Sequence, residues 1–379
     1  MQLKFTTISL FLLLLITACT KEETPPVVEP DPLPPAPSGK VIKVLHDEYE
    51  STPLVLVGSE EWNFILSFKR ELDGEERTFT AIDDRLPIVM EDDQGTEWDW
   101  FGRGVSGPGV GQQLELTTSM MGYWFAFGAL YPGASIHEGP SRFVELPLPG
   151  DPSWLIPTKR LVRATGLDAI QAIEVPQFVR YNSDEHTEGS FYVDNTDLVV
   201  GFEQGSQRRA YPHAILDWHE IVNDELGSEN IAVVYCPLTG TATLWDRNLE
   251  SGLTTFGVSG LLYNSNIIPY DRQTESFWTQ LDGRCVNGAL RGKRTRKYPY
   301  VETSWETWKT AFPETEIMSD DQNDVDRDYT IYPYDDYITN NDYIAFPLEI
   351  NDDRLPAKER VHGVIINSRV KVYRFDAFR

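Results

Sequence analysis

The chain contains a second copy of much of its own sequence, and the two copies do not run end to end. Residues 102–111 (GRGVSGPGVG) align with 283–292 (GRCVNGALRG) at a constant offset. Continuing the alignment pairs Trp124 with Trp305, Phe127 with Trp308, Pro132 with Pro313 and Ile136 with Ile317. Upstream, after a small shift, Asp47-Glu48 pairs with Asp224-Glu225 and Thr78-Phe79 with Thr255-Phe256. The second copy begins near Asp197, but nothing in front of Val41 matches its opening stretch. The match lies at the far end of the chain. There VHGVIINSRVKVYRF at 361–375 resembles VVGFEQGSQRRAYPH at 199–213, with Gly363 on Gly201 and Tyr373 on Tyr211. A repeat of this kind predicts an architecture before any local pattern is weighed. Repeat one is 361–379 followed in space by 41–139, and repeat two is 197–318. The chain ends then meet within one globular domain, 41–379, that has an approximate twofold axis.

Inside the repeats, short apolar runs alternate with polar residues and are punctuated by Gly, Pro and Asp, which reads as strands and turns. The fold class expected is mainly β (α+β) with a few short helices. The helices are expected at Gly166–Ile173, Ala214–Leu226 and Ser304–Phe312; the last two show apolar residues at helical spacing. A content of 41% hydrophobic and 12% aromatic residues is ample for a packed core. A net charge of −26 argues against a nucleic-acid partner, because such binding rests on Lys and Arg neutralising phosphates.

The first forty residues read as an address. Lys4, the apolar run Ile8–Ile16 and the small pair Thr17-Ala18 form a signal peptide over 1–18. Ile16-Thr17-Ala18-Cys19 resembles a bacterial lipobox, so Cys19 is the expected acylation site and the membrane anchor. Residues 19–40 continue as a proline-rich tether. Thr20-Lys21-Glu22-Glu23 resembles a surface-export signal of outer-membrane lipoproteins. The expected location is therefore the outer membrane, cell-surface exposed or otherwise facing the periplasm.

Comparison of the copies also sorts candidate chemistry. Residues kept in both are expected to be structural, whereas reactive residues in one copy mark a site. His219 falls opposite Ile42, Glu220 opposite Lys43, Cys236 opposite Ser59 and Cys285 opposite Gly104. Cys236 ends an apolar strand and precedes the turn Pro237–Thr241, where a thiolate could act as nucleophile, redox centre or soft metal ligand. His219 is its expected base or co-ligand, with His213 or Glu220 orienting it. As a metal site, Cys236, His219 and His213 would suit copper, zinc or iron. Asn264, Asn266, Asp271 and Arg272 lie in turns of the same copy and are candidate lining residues. The competing reading is a non-catalytic module that binds a glycan or protein partner through aromatic loops, with Cys236 merely buried. A Cys236–Cys285 disulfide is a further alternative in an oxidising compartment. Asp320, Asp324, Asp326 and Asp328 lack the Gly and closing Glu of a calcium loop and read as a solvated acidic stretch. Gly102–Gly107 satisfies G-x-G-x-x-G only on paper, since Pro108 and Gly109 stand where a helix should start.

Several longer motifs carry a resemblance. RAYP at 209–212, DWHEIVND at 217–224, YCPLTGTA at 235–242, FGVSGLLYNSN at 256–266, YDRQTESFWTQ at 270–280 and DDRLPAKERVHGV at 352–364 resemble the bacterial domain-of-unknown-function family 3179. The resemblance spans nearly all of 41–379. In that family the counterpart of WFAFGALYP (124–132) usually lies near the C-terminus, which implies a circularly permuted arrangement here. Many members resemble CPLCGT at the central turn. This chain has Thr239 in place of the second Cys, which weakens a dithiol role and leaves Cys236 as the shared thiol. Cys285 is not part of the family pattern, which weakens the disulfide. The family implies no activity, so function rests on the site.

Overall fold

The computed structural model describes residues 39–140, 150–181, 192–322 and 327–379. The signal peptide 1–18, Cys19, the tether through residue 38, Asp324 and Asp326 lie outside these residues.

Strand neighbours recur from one half of the sequence to the other. Lys43–Tyr49, Thr52–Ser59 and Phe64–Lys69 form an antiparallel meander. Ile221–Leu226, Glu229–Cys236 and Thr241–Asp246 form another, with Lys297–Tyr298 at its edge. The registers correspond: Asp47 faces Leu54, and Asp224 faces Ile231. A four-strand sheet built from Phe79–Ala81, Ile88–Asp92, Glu97–Asp99 and Gly104–Ser106 is matched by Phe256–Tyr263, Asn266–Asp271, Phe277–Thr279 and Arg284–Asn287. Leu161–Arg163 adds an outer strand to the second set.

The remaining sheets bring the chain ends together. Arg360–Ile366 lies between Thr118–Tyr123 and Arg369–Arg374, whose other neighbour is the parallel Ser135–Ile136. In the same order, Leu198–Gln204 lies between Val301–Ser304 and Gln207–Pro212, whose other neighbour is the parallel Glu316–Met318. The last residues also meet the first strands. The Glu60 amide donates to the Phe378 carbonyl at 3.2 Å, and Phe378 packs with Leu54, Leu56 and Ile65.

Side-chain devices recur with the strands. The Tyr373 hydroxyl donates to Asp47 Oδ2 at 2.8 Å, and Lys371 pairs with the same carboxylate. The Tyr211 hydroxyl donates to Asp224 Oδ2 at 2.6 Å, and Arg209 pairs with it at 2.8 Å. Burial opposes ionisation of Asp47, yet Lys371 and Tyr373 hold its pKa below the ordinary value. Gly201 and Gly363 are each required by an aromatic ring. A Cβ on Gly201 would stand 2.1 Å from Trp308, and one on Gly363 would stand 2.3 Å from Phe127. Trp308 also stacks on Trp100 with centroids 5.6 Å apart, so residues of both halves share one core cluster. Each such fully buried aromatic contributes about 2–3 kcal/mol from its burial.

The mainly β class holds, and the three α-helices among the described residues have seven residues each. Trp305–Ala311 (α3) agrees with expectation; Ser304 caps it by accepting from the Thr307 amide. The helix expected over Ala214–Leu226 is half helix and half strand. It runs His213–His219 (α2), and Ile221–Leu226 pairs with Glu229–Cys236 instead. The apolar spacing fits either state, and β-branched Ile221 and Val222 favour the strand once a partner is present. Gly166–Ile173 is turn, not helix, and Leu167 in it is 58% exposed. Trp124–Leu130 (α1) corresponds in position to α3.

Candidate functional site

The site begins where α2 stops. The Glu220 amide still donates to the Leu216 carbonyl at 2.8 Å, and the Glu220 carbonyl accepts from the Tyr235 amide at 2.7 Å. Between those bonds the residue takes φ +58° and ψ −37°, a conformation that costs a non-glycine residue about 1–3 kcal/mol. The turn into the following strand holds it there. The Glu220 side chain is buried, and its Oε2 has no hydrogen-bond partner. Burial pushes its pKa up to about 8, so the carboxyl is neutral at pH 7.

Glu220 lines a cavity of about 340 Å³ whose walls are otherwise largely apolar: Ile221, Val258, Leu262, Ile267, Tyr334 and Phe346. The volume lies in the range of small-molecule sites. Tyr343, 54% exposed, stands at its rim.

Asp217, three residues earlier on α2, is a second buried acid, with its pKa pushed to about 8 by burial and a hydrogen bond from Tyr235 opposing the shift. Tyr123, Tyr332 and Tyr334 crowd around Asp217 electrostatically. Tyr332, Tyr334 and Tyr337 come from a segment that crosses the open end of the Glu229–Cys236 strand; the Tyr337 hydroxyl donates to the Leu238 carbonyl at 3.1 Å. Asp217 opens the DWHEIVND stretch, whereas these tyrosines lie outside every motif. The run Tyr329, Tyr332, Tyr334, Tyr337, without strand alternation, is the available signal that the segment is a cover.

Cys236 is fully buried, and its Sγ donates to the Ser265 carbonyl at 3.5 Å. Burial, with the nearby Glu220 carboxyl adding to it, pushes its pKa to about 11, so it is a thiol and not a thiolate. His219 does not serve it. Nδ1 is 2.7 Å from the Gln171 carbonyl and Nε2 is 2.8 Å from the Tyr329 hydroxyl, so both ring nitrogens are occupied. Burial also lowers the His219 pKa. His213, at the other end of α2, lies against Tyr235 with centroids 4.6 Å apart and its Nε2 3.8 Å from Glu302. Burial, and secondarily Arg360, lower its pKa to about 3. Cys236, His219 and His213 therefore do not converge. Among the described residues no group of three or more His, Cys, Asp or Glu is placed to hold a metal, so the expected copper, zinc or iron set is not formed. Cys285 is a second free, buried cysteine, so the disulfide alternative falls.

The other candidates hold turns. Asn264 (φ +51°) and Ser265 (φ +64°) form the tight hairpin between Phe256–Tyr263 and Asn266–Asp271. The Asn264 Oδ1 accepts from the Glu349 amide at 2.7 Å. Asn266 Nδ2 donates to Thr239 Oγ1 at 2.9 Å and to Gln280 Oε1 at 2.6 Å, which ties that hairpin to the Cys236–Thr241 turn. Thr239 thus serves this turn as a hydrogen-bonding residue. Asp271 accepts from the Thr274 amide and from Trp278 Nε1, while Asp92 accepts from the Thr96 amide and from Trp98 Nε1. The same device at the corresponding position identifies Asp271 as structural. Arg272 is paired with Asp168 at 2.9 Å and with Glu174.

The sequence model of the family described as "Protein of unknown function (DUF3179)" matches residues 167–379. The chain belongs to this family. The match includes α2, Glu220, Cys236 and the tyrosine cover, but begins at residue 167 and so is narrower than the resemblance read from motifs. No curated protein and no solved structure matched. Membership in the DUF3179 family thus adds no activity to what the site shows.

Proposed function

We propose that this DUF3179 protein is a lipid-anchored, extracytoplasmic binding module whose ligand occupies the Glu220 cavity, with Cys236 and His219 maintaining the fold around it. The observation that carries this reading is a buried, unpartnered carboxyl on a residue that lines an otherwise largely apolar cavity of about 340 Å³. Buried polar groups in folded proteins are nearly always satisfied, so an unpartnered carboxyl on a residue that lines a cavity favours a ligand able to pair with it. A protonated Cys236 and a doubly engaged His219 favour binding over thiol or metal chemistry. The lipobox at Cys19 and the tether supply the proposed anchor at the outer membrane. We also infer that the halves are duplicated units about an approximate twofold axis, joined in permuted order, a reading supported by the recurring strand neighbours.

The test uses 2-phenylethanol, a neutral probe small enough for the cavity, titrated by calorimetry into protein lacking residues 1–38. Saturable binding is expected in the wild type and its loss in Ala345→Trp, which fills the mouth. Binding unchanged by that substitution places the probe elsewhere and refutes the reading.

A further inference from the structure

We infer that the Glu220 cavity selects a primary amine carried on a small apolar body. The inference rests on the cavity being a binding site and adds the chemical class of its ligand.

The argument is one of unmet complementarity. Glu220 presents a buried carboxyl whose Oε2 has no partner. No Lys, Arg or His lines the cavity, so the protein offers no internal cation to neutralise that group there. The titratable groups that interact with Glu220 from other elements are the Cys236 thiol at the end of its strand and the Tyr334 phenol from the crossing segment. Both are neutral at pH 7, and Tyr343 at the rim is a third phenol. A charge in an apolar interior is stable only when paired, so an ionised Glu220 requires the cation to arrive with the ligand. The walls then take the rest of the ligand by apolar burial: Val258, Leu262, Ile267 and Phe346 offer no charged group. The backbone agrees. Glu220 is held at φ +58°, and strained residues of this kind persist where the surroundings fix a side chain's aim. A chain of net charge −26 also raises the local concentration of cations at its surface.

An ammonium ligand must find Glu220 ionised, whereas burial holds it protonated until about pH 8. Binding therefore releases one proton from the carboxyl below that pH. Amine affinity is expected to fall about tenfold for each unit below pH 8 and to level off above it.

Calorimetry with 2-phenylethylamine and with 2-phenylethanol, at pH 6.5, 7.5 and 8.5 and in buffers of different ionisation enthalpy, tests this. The expected result is at least about tenfold tighter amine than alcohol binding at pH 8.5, a preference that shrinks toward pH 6.5, and uptake by the buffer of close to one proton at pH 6.5. Glu220→Gln is expected to abolish both the amine preference and the proton release; a thermal melt verifies that it folds, and the wild-type pH series stands without it. Equal binding of both probes at every pH overturns the amine assignment while leaving the cavity as a binding site. Binding of neither overturns both.

Discussion

Cys236 shows how surroundings decide the chemistry of a residue. A thiol at a strand end before a Pro/Gly turn is well placed to react, and its replacement by Ser59 in the other half marks it as distinctive. Yet Ser59 is equally buried, and its Oγ accepts from the Trp62 amide at 3.1 Å, so both residues fill the same enclosed corner. With its pKa near 11, Cys236 is expected to ignore a thiol reagent in the folded state. Titration at pH 8 of protein beginning after Cys19 should detect almost no fast-reacting thiol, and two on unfolding in denaturant. One equivalent reacting within seconds before unfolding would restore the nucleophile reading. Glu220 shows the reverse: a residue assigned a supporting role becomes central because burial strips it of partners.

At the scale of elements, two tight turns share one backbone geometry. Asn264-Ser265 and Asn367-Ser368 both connect antiparallel strands with two consecutive positive-φ residues. Hairpins of this type favour Gly at the second position. Ser368 is exposed with φ +62°. Ser368→Gly is therefore expected to stabilise the protein by roughly 0.5–1 kcal/mol, read as a higher urea midpoint at unchanged slope. A lower midpoint would mean that the Ser368 side chain contributes more than its backbone costs. α2 shows why elements were only partly legible: the spacing of Ile215, Trp218, Ile221 and Val222 is helical, but its second half is recruited as a strand by Glu229–Cys236.

At the scale of the molecule, buried titratable groups of both kinds give a pH dependence with two opposing limbs. His213 and His362 have pKa values lowered to about 3 by burial and secondarily by Arg360, against an ordinary 6.5. The unfolded chain binds protons at these residues that the folded chain does not, so stability is lost as pH falls from 6.5 toward 3. Asp217 and Glu220 have pKa values raised to about 8 by burial. The folded chain holds those protons longer than the unfolded one, so stability is lost as pH rises toward 8. Above pH 6.5 the histidine contribution is nearly complete, and the loss from the acids is opposed in part by Lys297 and Lys358, whose pKa values burial lowers to about 8. Differential melting should show a lower Tm at pH 8.5 than at 6.5, with about 2 kcal/mol lost per acid before that offset, and Glu220→Gln should make the fall clearly smaller. A pH response that Glu220→Gln leaves unchanged would show that this acid is not buried in an apolar setting.

The sequence by itself determined the β-rich class and displayed residues whose contacts recur, such as Asp47 with Asp224 and Gly201 with Gly363. These were legible because similar stretches of one chain, read against each other, display similar packing constraints. Burial and partnership are properties of the three-dimensional arrangement, and only the tertiary structure decided them. It occupied both nitrogens of His219, closed Cys236 against Ser265, kept His213 from either, and left unpaired one oxygen of Glu220, which lines a cavity. Reactivity and recognition follow from desolvation and from which groups meet, and residues far apart in the chain meet only when it folds.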